Sequence, residues 1–225
     1  MNDSGTILIY AGCYFLMFII TGKAKRSKSN RLFDTNGVLT ANTENLIGLH
    51  LAGIIVFGVI PFALFKSSLE TVLPGNRIPM LLWLLVLFFL VILISIMGFR
   101  ASRRISIRSE NIPGEYKNIF GGYFIVRIFF LVAYEYFFRG VVLFEGIKWI
   151  GVLPSILLST GLTVLIHVFT NKKERWGCIP FGIILCSYCI LLNAVWPAIV
   201  LHLALSLSYE IPPVYHFLKP VKAIR

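Results

Sequence analysis

Seven times along this chain, runs of 13 to 30 residues are almost wholly apolar, at about 6–20, 46–65, 79–98, 120–149, 153–170, 177–192 and 197–209. A helix of about 17–25 such residues crosses a bilayer. Inside lipid, every backbone N–H and C=O must be paired within the protein, and a helix does this within one segment. The recurrence therefore predicts an all-α fold, a polytopic helical membrane protein with about seven transmembrane helices forming a single membrane domain over 1–225. Hydrophobic residues make up 57% of the chain, more than a soluble globular domain carries.

The first run, TILIYAGCYFLMFII, follows MNDSG, which has no basic start, and no small-residue cleavage site comes after it. It reads as a retained membrane helix, not a signal peptide. The net charge of +11 raises nucleic acid as a partner. The basic residues, however, fall between the apolar runs and form no patch interleaved with aromatics, so no nucleic-acid partner is expected and the lipid bilayer is. Sixteen of them lie in 23–31, 100–117, 172–175 and 219–225, on one side of the predicted spans. Only Lys66, Arg77 and Lys148 lie on the other side, and Arg127 and Arg139 remain in or near the membrane. Lys and Arg are enriched in cytoplasmic loops, so the N-terminus is expected outside and the proline-broken C-terminal tail along the cytoplasmic surface. Short loops and compact size point to a bacterial inner membrane. The cysteines, including the Cys186-x-x-Cys189 pair, fall in or beside apolar segments without a second ligand pair and read as packing residues.

What remains is a short set of polar groups within spans. Charges at the bilayer centre cost about 2.5–3.5 kcal/mol each, so they usually mark function. In AYEYFFRG (133–140), Glu135 and Arg139 are four apart and share a helix face, where they can pair. His167 ends LTVLIH, and His202 and Ser206 lie four apart in VLHLALS. His50 stands alone in the second run, with no polar neighbour at helical spacing, and reads as structural. A turn near Gly151 would leave Glu135 sixteen residues before it and His167 sixteen after. At about 1.5 Å per residue, two antiparallel helices bring both side chains level, roughly 24 Å from the turn. A carboxylate and an imidazole meeting there could activate a water. The shorter sixth and seventh runs suggest a hairpin that stops below the outer face, placing His202 at the same depth. His202 and Ser206 could then donate to an oxyanion.

The stretches YEYFFRG (134–140), TVLIH (163–167) and HLALS (202–206), in that order, resemble the CPBP family of glutamic intramembrane proteases, which includes CAAX-prenyl endopeptidases and bacteriocin-processing relatives. The resemblance covers roughly 120–209, the motif-bearing core. It implies an intramembrane endopeptidase in which the first Glu of a Glu-Glu-x-x-x-Arg motif and the second-motif His activate water, with no metal and no cofactor. The third-motif His and Asn would line the oxyanion site, and the substrate would be a membrane-associated peptide or protein. Arg139, His167 and His202 match these motifs, and Glu135 keeps the second Glu position. Tyr134 stands where the first Glu belongs, Thr163 replaces a Phe, and Ser206 replaces the Asn. A phenol titrates near about 10 and is no base at neutral pH, so catalysis would run through Glu135, with Tyr134 and Arg139 in support.

Three readings follow. The first is an endopeptidase using Glu135, His167, His202 and Ser206. The second is an inactive member serving as a membrane scaffold or a subunit beside partner membrane subunits. The third is a proton-coupled transporter relaying through Glu135, which no inverted repeat or interrupted helix pair supports. Two histidines and a glutamate could in principle bind zinc, and one equivalent retained on purification would mark that case.

Overall fold

The computed structural model describes residues 3–27, 30, 32–33, 43–64, 80–103 and 116–218. Its helices are α1 (Asp3–Arg26), α2 (Thr43–Gly53), α3 (Ile60–Leu64), α4 (Met80–Ser102), α5 (Tyr116–Glu135), α6 (Phe144–Ile150), α7 (Val152–Ile166), α8 (Lys172–Leu192) and α9 (Trp196–Leu218). π-Helical stretches, Ile54–Val59 and Tyr136–Leu143, join α2 to α3 and α5 to α6. The protein is an all-α polytopic membrane protein. Among the described residues, six helices or joined helices are long and apolar enough to cross a bilayer. The remaining expected span is the helical rod 116–150, which carries the intramembrane charges and is interrupted by π-winding. Large apolar side chains such as Leu8, Leu81, Phe89 and Leu153 are exposed around the outside. That inversion of the usual surface rule is what lipid, as solvent, requires.

The turns follow local chemistry. The rod ends at Gly151, whose φ of +81° only glycine adopts without strain, and α7 begins at the next residue. The turn thus lies where the depth argument needed it. At the other end of α7, Asn171 caps α8: its side-chain oxygen accepts the Glu174 N–H at 2.8 Å, and its amide donates to the Glu174 carboxylate at 2.7 Å. Asn193, left-handed at φ 48°, closes α8 and leads into α9.

Helices α8 and α9 correct one expectation. They are full-length, 21 and 23 residues, and not a truncated hairpin. The Asn171 cap extends α8 through KKERWG, which hydropathy alone assigns to a loop. α9 likewise continues through Pro212 and Pro213 to Leu218, so 211–218 is helix and not a broken tail. Proline's fixed φ suits a helix, and the loss is two N–H donors and some crowding of the preceding turn. The rest of the expected tail, 219–225, lies outside the described residues.

Two buried clusters hold the bundle. One packs Tyr14, Met17, Phe57, Tyr134, Phe137 and Phe138. The other packs Leu143, Leu185, Cys186, Cys189, Ala198 and Leu201, so the C-x-x-C pair is core filling with free thiols. The Tyr14 hydroxyl donates to the Leu162 carbonyl at 3.0 Å, tying α1 to α7. Where α4 crosses α9, a Cβ on Gly98 would stand 2.1 Å from Ser208 Oγ and 3.0 Å from the Leu205 carbonyl. Gly98→Val is therefore expected to push these helices apart and cost about 1–3 kcal/mol, as overpacked sites do, measurable as a lower unfolding midpoint in detergent.

Candidate active site

The chemistry-bearing residues converge where α5 passes into the π-helical stretch. Glu135 is the last α-helical residue and is fully buried, and Arg139 lies within the π stretch at 1% exposure. Such charges persist in an apolar interior only with partners. Arg139 Nε lies 3.2 Å from Glu135 Oε2, an ion pair not aligned as a hydrogen bond. Arg139 Nη1 donates to Thr163 Oγ1 at 3.3 Å. The other carboxylate oxygen, Oε1, accepts the Nδ1–H of His202 from α9. Glu135 is thus gripped from its own helix and from α9, with lone-pair capacity left on Oε2.

His167 stands apart from that grip. It opens the 3₁₀ turn after α7, and its Nδ1 donates to the Thr163 carbonyl at 2.8 Å. In the neutral ring this bond puts the proton on Nδ1 and leaves Nε2 as an acceptor. Thr163 joins the two halves of the site. Its hydroxyl receives Arg139 and donates to the Ser159 carbonyl at 2.9 Å, while its own carbonyl holds His167. Ser159 in turn donates to the Phe138 carbonyl at 2.8 Å, fastening α7 to the π stretch.

Tyr134 is buried between the two imidazoles. Its ring meets His167 edge-on at 6.3 Å and His202 edge-on at 5.6 Å. Phe181 closes the far side of His202 at 5.8 Å. Ser206 is buried one turn along α9 from His202, outside the Glu135–Arg139–His202 contacts. The structure therefore brings Glu135, Arg139 and His202 into direct contact, and His167 borders the same site through Tyr134 and Thr163. The direct acid–imidazole contact is to His202, where matched depth alone had pointed to His167. The linking roles of Thr163 and Ser159 have no signature in charge, since both side chains are neutral. The i,i+4 spacing of Ser159, Thr163 and His167 was the available signal. Among the described residues, no three His, Cys, Asp or Glu side chains are grouped to hold a metal ion.

A polytopic helical membrane protein with a buried carboxylate clasped by arginine and histidine is the class that fold and site define. Residues 117–208 match the model of a family described as type II CAAX prenyl endopeptidase Rce1-like. The match spans less than half of the chain, and over that segment the chain is similar to this family, one of proteases. No curated protein and no solved structure matches the chain.

The grip on Glu135 has a measurable energetic signature. Removing one member of a buried ion pair leaves an uncompensated charge and costs about 3–5 kcal/mol, whereas neutralising both costs much less. Arg139→Met is expected to lose that amount in unfolding titrations, and Glu135→Gln/Arg139→Met to recover most of it. Additive losses in the double variant would show that the two side chains do not act as a pair.

Proposed function

We propose that this protein is an intramembrane endopeptidase of the glutamic type, acting on a peptide bond of a membrane-associated peptide or protein. The observation that carries the reading is Glu135, fully buried yet held with one carboxylate oxygen available, within an Rce1-like segment. Glu135 Oε2 takes a proton from water as the water oxygen bonds to the scissile carbonyl carbon. The carbonyl oxygen becomes an oxyanion, for which the His202 ring and the Ser206 hydroxyl are the nearby donor groups. The C–N bond then breaks, and the leaving amine receives the proton from Glu135, with His167 Nε2 as a shuttle. Arg139 holds the carboxylate in place and Thr163 keeps Arg139 and His167 in step. The setting is a bacterial inner membrane with the N-terminus outside and the C-terminus cytoplasmic.

One observation favours a second reading. The Tyr134 ring occupies the space beside both histidines where the family's first Glu belongs. In that reading Glu135, Arg139 and His202 form a structural clasp, and the protein binds a membrane segment or partner subunit without cutting it.

Purified protein in liposomes, supplied with prenylated and unprenylated C-terminal peptides, separates the two. Wild-type cleavage is expected, with kcat reduced at least about a hundredfold in Glu135→Gln, the usual worth of a positioned acid or base. Tyr134→Phe is expected to retain cleavage, since the phenol has no proton-transfer role. Undiminished turnover in Glu135→Gln would remove Glu135 from the mechanism, and wild-type protein that binds these peptides intact would favour the clasp.

A further inference from the structure

Arg127, left over by the topology argument, and His50, which had no polar neighbour along its own helix, prove to be partners across 77 residues. Arg127 Nη1 donates to His50 Nε2 at 3.3 Å, so the neutral His50 ring carries its proton on Nδ1. Arg127 Nη2 donates to Glu210 Oε1 on α9 at 2.9 Å, and the Tyr123 hydroxyl donates to Glu210 Oε2 at 2.9 Å. The His50 ring stacks on Phe130 at 4.7 Å, with the Arg127 guanidinium 5.7 Å from the same ring. This second polar cluster joins α2, α5 and α9, and none of its members touches Glu135 or His202.

Its placement is informative. On α5, Arg127 precedes Glu135 by eight residues, and on α9, Glu210 follows His202 by eight. In two antiparallel helices this makes the contacts two rungs of one register, about 12 Å apart. A slip of α9 by one turn, or a rotation by one residue, would break both rungs together. α9 also packs along α4, closely at Gly98, but that contact fixes α9 against α4 and not against α5. The rung at Glu210 lies just before Pro212 and Pro213, where α9 has lost two of its own hydrogen bonds and is least able to hold its course unaided.

We propose that Arg127 and Glu210, backed by Tyr123 and His50, are positioning residues that set the axial and rotational register of α9 on α5 and so deliver His202 to Glu135. The geometric part stands on the contacts alone. Its consequence for turnover rests on the endopeptidase reading.

The test is ring-nitrogen NMR of the histidines in the full chain in nanodiscs, with the His202 signal assigned through His202→Ala. In wild type, His202 Nδ1–H is expected to show the shift of a proton hydrogen-bonded to a carboxylate. Arg127→Glu and Glu210→Arg are each expected to lose that signal, and the charge-swapped double variant to regain it. If either single reversal fails to fold, Arg127→Gln and Glu210→Gln are read in the same way, with loss of the signal again expected. A lowered melting temperature with the His202 signal intact in folded single variants, or a folded double variant that does not regain it, would overturn the proposal by reducing the pair to a brace. Where cleavage is measured, kcat is expected to fall about a hundredfold with KM held, the scale of an ångström's misplacement, and to return in the double variant. An inactive wild type would sink the endopeptidase reading and leave the NMR result to decide this one.

Discussion

Glu135 and Arg139 set the terms for the rest of the molecule, because a carboxylate and a guanidinium at 0% and 1% exposure must be compensated by what surrounds them. One carboxylate oxygen faces Arg139 and the other receives His202, while the guanidinium extends to Thr163. Three chain segments far apart in sequence are thereby committed to meet: α5 with its π continuation, α7, and α9. Apolar packing in a bilayer gives little specificity between helices, since lipid tails are as apolar as leucine. Directed bonds among buried polar groups supply it. Ser159, reaching from α7 to the Phe138 carbonyl, extends the same logic to the backbone.

The π-helical stretches belong to this arrangement. Such winding is rare and often found at functional sites, because it displaces side chains from the α-helical pattern. The stretch Tyr136–Leu143 carries Arg139, and the stretch Ile54–Val59 packs against it. Phe57 stacks on Phe137 at 4.5 Å and meets Phe138 and Tyr134 edge-on at 5.5 and 6.0 Å. Beside it, a Cβ on Gly58 would stand 3.0 Å from the Ala133 Cβ, so the two helices approach closely two residues before Glu135. Interlocked aromatic rings on one side and directed hydrogen bonds on the other leave the Glu135 side chain little freedom.

Much of this was legible in the sequence, and the limits have physical causes. Apolar run length predicts all-helical spans because lipid permits little else, and Gly151 marks a turn because its backbone conformation excludes other residues. Spacing of four gave the Glu135–Arg139 pair, since both residues lie on one helix. Contacts between helices depend on rotation and crossing, which depth alone does not fix. Matched depth points Glu135 to His167, whereas its carboxylate meets His202. For the same reason His50 looked solitary while Arg127 faced it from α5. The true lengths of α8 and α9 were hidden because hydropathy measures lipid preference, whereas the Asn171 cap and helix-tolerant prolines govern where a helix ends.

Tyr134 shows how one substitution redistributes work within such a site. The motif that YEYFFRG resembles would have a glutamate at this position, acting with His167. Here an aromatic ring fills that position and presents its face or edge to both histidines, giving His167 no carboxylate there. His167 is instead satisfied by the Thr163 carbonyl. The Thr163 hydroxyl receives Arg139 and donates to the Ser159 carbonyl, which a purely apolar side chain at 163 could not do. In the proposed reaction the carboxylate–imidazole partnership is that of Glu135 on α5 and His202 on α9. A residue step of about 100° on a helix separates the directions of neighbouring side chains, so Glu135 reaches His202 Nδ1 while the adjacent Tyr134 ring lies beside both histidines.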